Sequence, residues 1–208
     1  MREKEKSTTL LFIRHGKTDF PEDRIYCDDR EDPPLNDAGR TQAQSAADWL
    51  TKAGIQLDAL YCSPTLRTRQ TAEPIARALG LDPALDDRLT ERHFGIWEGL
   101  YFHEIMAKFP EEHRQWKTDN AGFAPRGGET IYQMLERLQA ARDAILAKYH
   151  GGTVAVVTHV GPIRAFVADA IGLPVPYYRR VTVDNASLTR IDFGRSQNNL
   201  MFLNIRNY

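Results

Sequence analysis

Two short apolar runs constrain the fold more than any other feature of the chain. Thr9-Leu-Leu-Phe-Ile13 and Thr153-Val-Ala-Val-Val157 are nearly uninterrupted, and each passes at once into a histidine-bearing turn, Arg14-His15-Gly16 and Thr158-His159-Val160-Gly161. Runs this short, without polar alternation, read as strands buried on both faces, which is the condition of parallel strands covered by helices. The segments between them supply those helices. From Asn36 to Ala53 apolar residues recur at helical spacing, with Asn36 or Asp37 available as N-cap and Gly54 as the stop. Leu57 to Cys62 reads as a strand, and Ser63-Pro64 offers an N-cap and first-turn proline for a helix reaching Leu79 before Gly80. Phe102 to Phe109 and Glu112 to Trp116 are candidate short helices over one edge of the sheet. Glu129 to Tyr149 and Pro162 to Ile171 read as longer helices, and Val181 to Val183, Leu188 to Phe193 and Leu200 to Ile205 as a β-rich tail. Polar stretches bearing Pro and Gly, Pro21 to Pro34 and Glu111 to Gly128, read as long loops. The expected fold class is α/β, a three-layer α/β/α sandwich on a mostly parallel sheet. Residues 9–208 form its single domain behind a flexible tail, 1–8.

Composition narrows the partners. With 208 residues, 42% of them hydrophobic, the chain closes one good core, and a net charge of −1 shows no nucleic-acid footprint and no pull toward an anionic membrane. Met1 to Thr9 lacks the apolar run of a signal peptide, and no stretch approaches the ~20 apolar residues of a membrane span. Two cysteines, Cys27 and Cys62, lie far apart without metal-ligand spacing. A cytoplasmic protein with a small partner is expected, with a homodimer as the commonest assembly.

The chemistry gathers where the strands end. Ligand sites of α/β sheets lie beyond the carboxyl ends of the strands, so His15 and His159 can meet there. Arg14 precedes the first histidine, and Arg67 falls in the first turn of a helix, where unpaired N–H groups already favour an anion. Phosphate suits forked guanidinium donors. Arg69 and Arg77 read instead as a solvated helix face, and His93, His103 and His113 span too many residues for one face and are not taken as metal ligands. Trp49, Trp97 and Trp116 read as packing residues, and Glu129 as a carboxylate favoured at a helix N-terminus.

These residues belong to six blocks in fixed order. They are Arg14-His15-Gly16; Asp32-Pro-Pro-Leu-Asn-Asp-Ala-Gly39 with Gln42-Ala43; Ser63-Pro-Thr-Leu-Arg67 with Gln70-Thr71-Ala72; Leu89-Thr-Glu91 with Phe94-Gly-Ile-Trp-Glu-Gly99; Gly127-Gly-Glu-Thr130; and Thr158-His159 with Gly161 and Ile163-Arg164. The set resembles the histidine phosphatase superfamily, also called phosphoglycerate-mutase-like, through nearly the whole chain. The resemblance implies that His15 becomes phosphorylated, that Arg14, Arg67 and His159 surround the phosphoryl oxygens, and that Glu91 donates a proton to the leaving group. Lys17 and Val160, next to these positions, join Arg14, Arg67 and His159 as substrate-binding candidates. Neutral imidazole is a competent nucleophile near neutral pH once one ring nitrogen is held, a role open to the backbone around Gly16. Positioning and positive charge dominate phosphoryl transfer, so neither metal nor cofactor is expected. Glu91 must be protonated as the ester oxygen leaves, and would then activate the water that hydrolyses phosphohistidine.

The superfamily mixes phosphatases with mutases. Where cofactor-dependent phosphoglycerate mutases hold the substrate carboxylate with a tyrosine and a lysine, this chain has Phe94 and Phe102. The run from Gly99 to Gly127 also lacks the paired arginines and proline cluster of mutases, which favours water as acceptor. Glu91-Arg92-His93 is similar to the mutase block and keeps that alternative open, as does an inactive phospho-ligand binding protein, although all five catalytic positions are intact. In the opening loop Lys17 and Pro21 stand where the family usually has a glutamate and an asparagine. Length and the ending Asp184-Asn-Ala-Ser-Leu-Thr189 look like small bacterial phosphatases, including those acting on α-ribazole phosphate.

Overall fold

The computed structural model describes residues 6–26 and 31–206. Its elements in chain order are β1 (Thr8–Arg14), α1 (Asp37–Lys52), β2 (Ala59–Cys62), α2 (Leu66–Leu79), β3 (Pro83–Leu85), α3 (Phe102–Lys108), α4 (Pro110–Thr118), α5 (Ile131–Lys148), β4 (Thr153–Thr158), α6 (Val160–Ile171), β5 (Leu188–Phe193) and β6 (Asn198–Ile205). The strands form one six-stranded sheet in the order β3-β2-β4-β1-β5-β6. The four strands from β3 to β1 run parallel, and the β5–β6 hairpin is added antiparallel to β1.

Strand periodicity divides the core into the two layers of a sandwich. On β1, Leu10 and Phe12 pack with α5 and α6, while Leu11 and Ile13 pack with α1 and α2. The residues of β4 alternate likewise, Val154 and Val156 to the first side and Ala155 and Val157 to the second. Over the C-terminal edge of the sheet, Ile25, Trp97 and Ile105 form a small third cluster with Phe94, Phe102, Phe109, Trp116 and Phe123. Trp49 packs edge-on against Phe202. No helix among the described residues is long and apolar enough to cross a membrane.

Several elements differ from the sequence expectation for local reasons. Thr8 already belongs to β1 and is buried, while residues 1–5 of the expected tail lie outside the described residues, as does Cys27. The cap of α2 is Thr65 and not Ser63. The Asp32 carboxylate accepts from the Leu66 amide at 2.6 Å, so an acidic side chain from a distant loop supplies the capping oxygen. The candidate helix Glu112 to Trp116 is the centre of the longer α4, which takes in flanking residues also read as loop; Pro110 takes its first turn, and Glu111 and Glu112 meet the positive end of the helix. Val181 to Val183 is not a strand, because its carbonyls accept from side chains: Val181 from Arg164 Nε at 2.8 Å and Val183 from Arg14 Nη1 at 2.8 Å. The short edge strand β3, opened by Pro83, has no apolar signature.

Phe12 and Phe166 stack at 4.6 Å between β1 and α6, both buried. Phe166→Ala is expected to cost about 3–5 kcal/mol in urea unfolding. Met201→Ala, on the exposed edge strand β6, should stay within about 0.5 kcal/mol.

Candidate active site

Register builds the site. β1 and β4 pair with Arg14 opposite Thr158, so the next residues, His15 and His159, emerge side by side. On the other flank of β4, Cys62 pairs with Val157, which sets Ser63 beside His159. The imidazole centroids are 5.3 Å apart, and both rings are buried.

Hydrogen bonds assign the tautomers. His15 Nδ1 lies 2.8 Å from the Gly16 carbonyl, which can only accept, so Nδ1 carries the proton and Nε2 keeps its lone pair. The sequence expectation that the Gly16 backbone holds the ring therefore has a definite atom behind it. Gly16 is anchored in turn by its amide, which donates to Thr71 Oγ1 at 3.0 Å. A Cβ on Gly39 would fall 2.0 Å from the Lys17 carbonyl, so only glycine lets α1 approach this loop so closely. For His159, Arg67 Nη2 stands 3.2 Å from Nδ1. A guanidinium only donates, so Nδ1 accepts and Nε2–H donates to Ser63 Oγ at 2.8 Å.

Burial pushes both imidazole pKa values well below the usual histidine value, and the neighbouring guanidinium of Arg67 lowers them further, followed by Arg14 at His15. Both rings are neutral at pH 7. Arg67 itself is fully buried, with Nη1 3.4 Å from the Asp32 carboxylate and its guanidinium 4.1 Å over the ring of Tyr26. Glu91 takes two backbone hydrogen bonds, Oε1 from the Arg92 amide at 2.8 Å and Oε2 from the Gly161 amide at 3.1 Å. That contact leaves no room at Gly161, where a Cβ would stand 2.0 Å from Glu91 Oε1.

Arg14, His15, Lys17, Arg67, Glu91, His159 and Val160 all border one cavity of about 480 Å³. Lys17 is exposed at its rim. Phe20, Phe94 and Phe102 form an apolar part of the wall, with Phe20 stacked on Tyr26 at 4.2 Å. Arg92 borders the cavity, but its guanidinium donates to the carbonyls of Glu129 and Phe123 at 2.9 and 2.6 Å. Glu129 has a structural place: its carboxylate receives Arg137 and the His93 amide. The Cys62 thiol, buried and pushed up to about 12, is an inert packing group. Among the described residues, no group of three or more His, Cys, Asp or Glu is placed to hold a metal.

Sequence reasoning did not single out Asp32, Ser63, Thr71 and Tyr26. The first three sit in the motif blocks, so a reader asking what orients each catalytic side chain would have found them. Tyr26 carries no such signal. Its place under Arg67 depends on how the loop after β1 folds back, with Thr18 Oγ1 and the Tyr26 hydroxyl 2.9 Å apart.

Residues 10–206 match the family model described as histidine phosphatase superfamily (branch 1). The chain is 41% identical over 186 residues to the bifunctional protein Rv2228c of Mycobacterium tuberculosis; the match covers 89% of this chain and 50% of that protein, so the chain spans half of its length. It is 31% identical over 196 residues to phosphoserine phosphatase 1 of Hydrogenobacter thermophilus, covering 94% of this chain and 92% of that one. The crystal structure of the α-ribazole phosphatase from Shigella flexneri superposes with a TM-score of 0.85 at 26% identity, over 95% of this chain and 96% of that one.

Two outcomes follow from this geometry. Gly161→Ala should displace the Glu91 carboxylate and lower kcat by about 10²-fold or more, the scale of a lost general acid, while the thermal melt stays cooperative. The depressed imidazole pKa values mean that the unfolded chain takes up protons first as pH falls through about 6.5, so their contribution is complete above that value and declines below it. Melting curves should therefore show wild type losing stability more steeply than His159→Gln between about pH 6.5 and 5. Parallel curves would contradict the neutral, buried assignment.

Proposed function

Since the chain belongs to the histidine phosphatase superfamily, we propose that it is a metal-independent phosphatase of a small phosphomonoester, working through a phosphohistidine. The observation that carries this reading is the pair of neutral strand-end imidazoles beside Arg67, facing a cavity that Glu91 also borders. His15 Nε2 attacks phosphorus in line, forming a P–N bond as the P–O bond to the leaving group breaks. The ester oxygen takes its proton from Glu91. Arg14 and Arg67 carry the equatorial charge, as fixed positive groups do in a preorganised site. Glu91, now a carboxylate, takes a proton from water as that water attacks the phosphohistidine, which releases phosphate and restores His15.

Hydrolysis is favoured over mutase chemistry by the fate of Arg92. The Glu91-Arg92-His93 run is similar to mutases, yet the Arg92 guanidinium is spent on two backbone carbonyls and stacked 5.1 Å from the Phe94 ring. Neither Phe94 nor Phe102 offers a donor to a substrate carboxylate. Both kinds of solved or curated phosphatase relative described above support the same reading.

Phosphate release without added metal, and with a chelator present, should be abolished by His15→Ala. Glu91→Gln should slow alkyl phosphates by about 10²–10⁴-fold but hardly slow an aryl phosphate whose leaving group needs no proton. Equal losses on both ester types would remove Glu91 from the acid role, and unchanged release by His15→Ala would overturn the assignment.

A further inference from the structure

We propose that Arg164, Tyr178 and Arg179 form a second anion subsite, which selects phosphomonoesters whose leaving group carries its own negative charge, as a carboxylate or a second phosphate. The inference rests on the phosphatase reading above and concerns its substrate class.

The position of this wall comes from α6. Gly161 at its start holds Glu91, the residue that faces the leaving oxygen, and Arg164 follows three residues later on the same side of the helix. Arg164 Nε donates to the Val181 carbonyl, at the end of the turn that carries Tyr178 and Arg179. All three side chains border the catalytic cavity. An anion held by them lies on the Glu91 side of the site, where the leaving group must be.

Charge balance singles out the same residues. Among the cations bordering the cavity, Arg14 and Arg67 serve the phosphoryl group, Lys17 stands exposed at the rim on the His15 loop, Arg24 is paired with Glu31, and Arg92 is spent on carbonyls. Arg88, Arg137 and Arg142 elsewhere each meet a carboxylate. Arg164 and Arg179 have no carboxylate partner among the described residues, although Arg164 is more than half buried. The Arg179 guanidinium instead lies over the Trp116 ring of α4, 5.2 Å from its centroid. Tyr178 is 7% exposed and lines the same wall of the cavity. Burial raises the Tyr178 pKa, so its hydroxyl stays protonated and can donate to an anion in the cavity. Forked donors beside a phenol are suited to a compact oxyanion.

The test compares matched esters on the full chain: phosphoserine against phosphoethanolamine for a carboxylate, and glycerol bisphosphate against glycerol phosphate for a second phosphate. Wild type should prefer the anionic member of at least one pair by about tenfold or more in kcat/KM, and that ratio should collapse toward about twofold in Arg164→Gln and in Arg179→Gln, whatever their absolute rates. The pair that responds identifies the anion. A ratio near one in wild type for both pairs, or a ratio that survives both substitutions, overturns the subsite. Calorimetric binding of the same esters to His15→Ala separates the two readings. Discrimination in binding without turnover by wild type would sink the phosphatase assignment and keep the subsite, whereas turnover without discrimination does the reverse.

Discussion

Everything at the site depends on the in-register pairing of β1 with β4. Two parallel strands of equal phase end on the same level, and the residue after each is a histidine, so hydrogen bonds of the sheet set the separation of the rings before any side chain acts. A slip of one residue would exchange the faces of Leu10 and Leu11 and send Phe12 toward α1 and α2. The hydrophobic alternation that protects the core thus protects the catalytic geometry as well. The turn leading into β5 reinforces it from the other side: the Ala186 amide donates to the carbonyls of Arg14 and His15 at 3.1 and 3.3 Å. Ala186 adopts φ 52°, a left-handed conformation costly to a residue with a side chain, and this strain sits beside the His15 backbone.

Arg67 is the second constraint. A fully buried guanidinium is expensive unless its charge is compensated, and here the Asp32 carboxylate, the face of Tyr26 and the Nδ1 of His159 lie against it. The arrangement works in both directions. Arg67 keeps His159 neutral and fixes its tautomer, and it helps to keep His15 neutral and so nucleophilic. Burial does most to keep both imidazoles neutral, and this one buried charge adds to it at both rings at once, which an exposed arginine could do only weakly through water.

The layers and the long elements were legible in the sequence because they follow from period. β1, β4, β5 and α5 announce themselves through apolar runs or through Met134, Leu138, Ala141 and Ile145 at helical spacing. The errors fall where a distant side chain replaces a local signal. Ser63-Pro64 reads as a cap, yet Asp32 caps α2 and Ser63 is freed to receive His159. Val181 to Val183 is apolar enough for a strand, yet Arg14 and Arg164 occupy its carbonyls. In both cases long-range hydrogen bonds of the site override local propensity. The motif residues could be collected from sequence, but their orienting partners depend on loop paths that no periodicity encodes. Arg92 is the sharpest example: its position in the motif points to substrate, while its bonds to Glu129 and Phe123 make it a strut between the Glu91 loop and the segment leading into α5.

That diversion bears on how the family can vary its chemistry on one frame. The phosphoryl pocket is built from strand ends and the start of α2, elements locked into the main core. The leaving-group side is built from the Glu91 loop, α3 and α4 with their own small cluster around Trp97, and the turn after α6. These parts touch the sheet little, so their side chains can be exchanged without disturbing the register that holds His15 and His159. In this chain the exchange has placed phenylalanines at Phe20, Phe94 and Phe102 on one wall and left Arg164 and Arg179 on the other. On the proposed phosphatase reading, the reaction belongs to the rigid half of the site and the choice of leaving group to the half that is free to change.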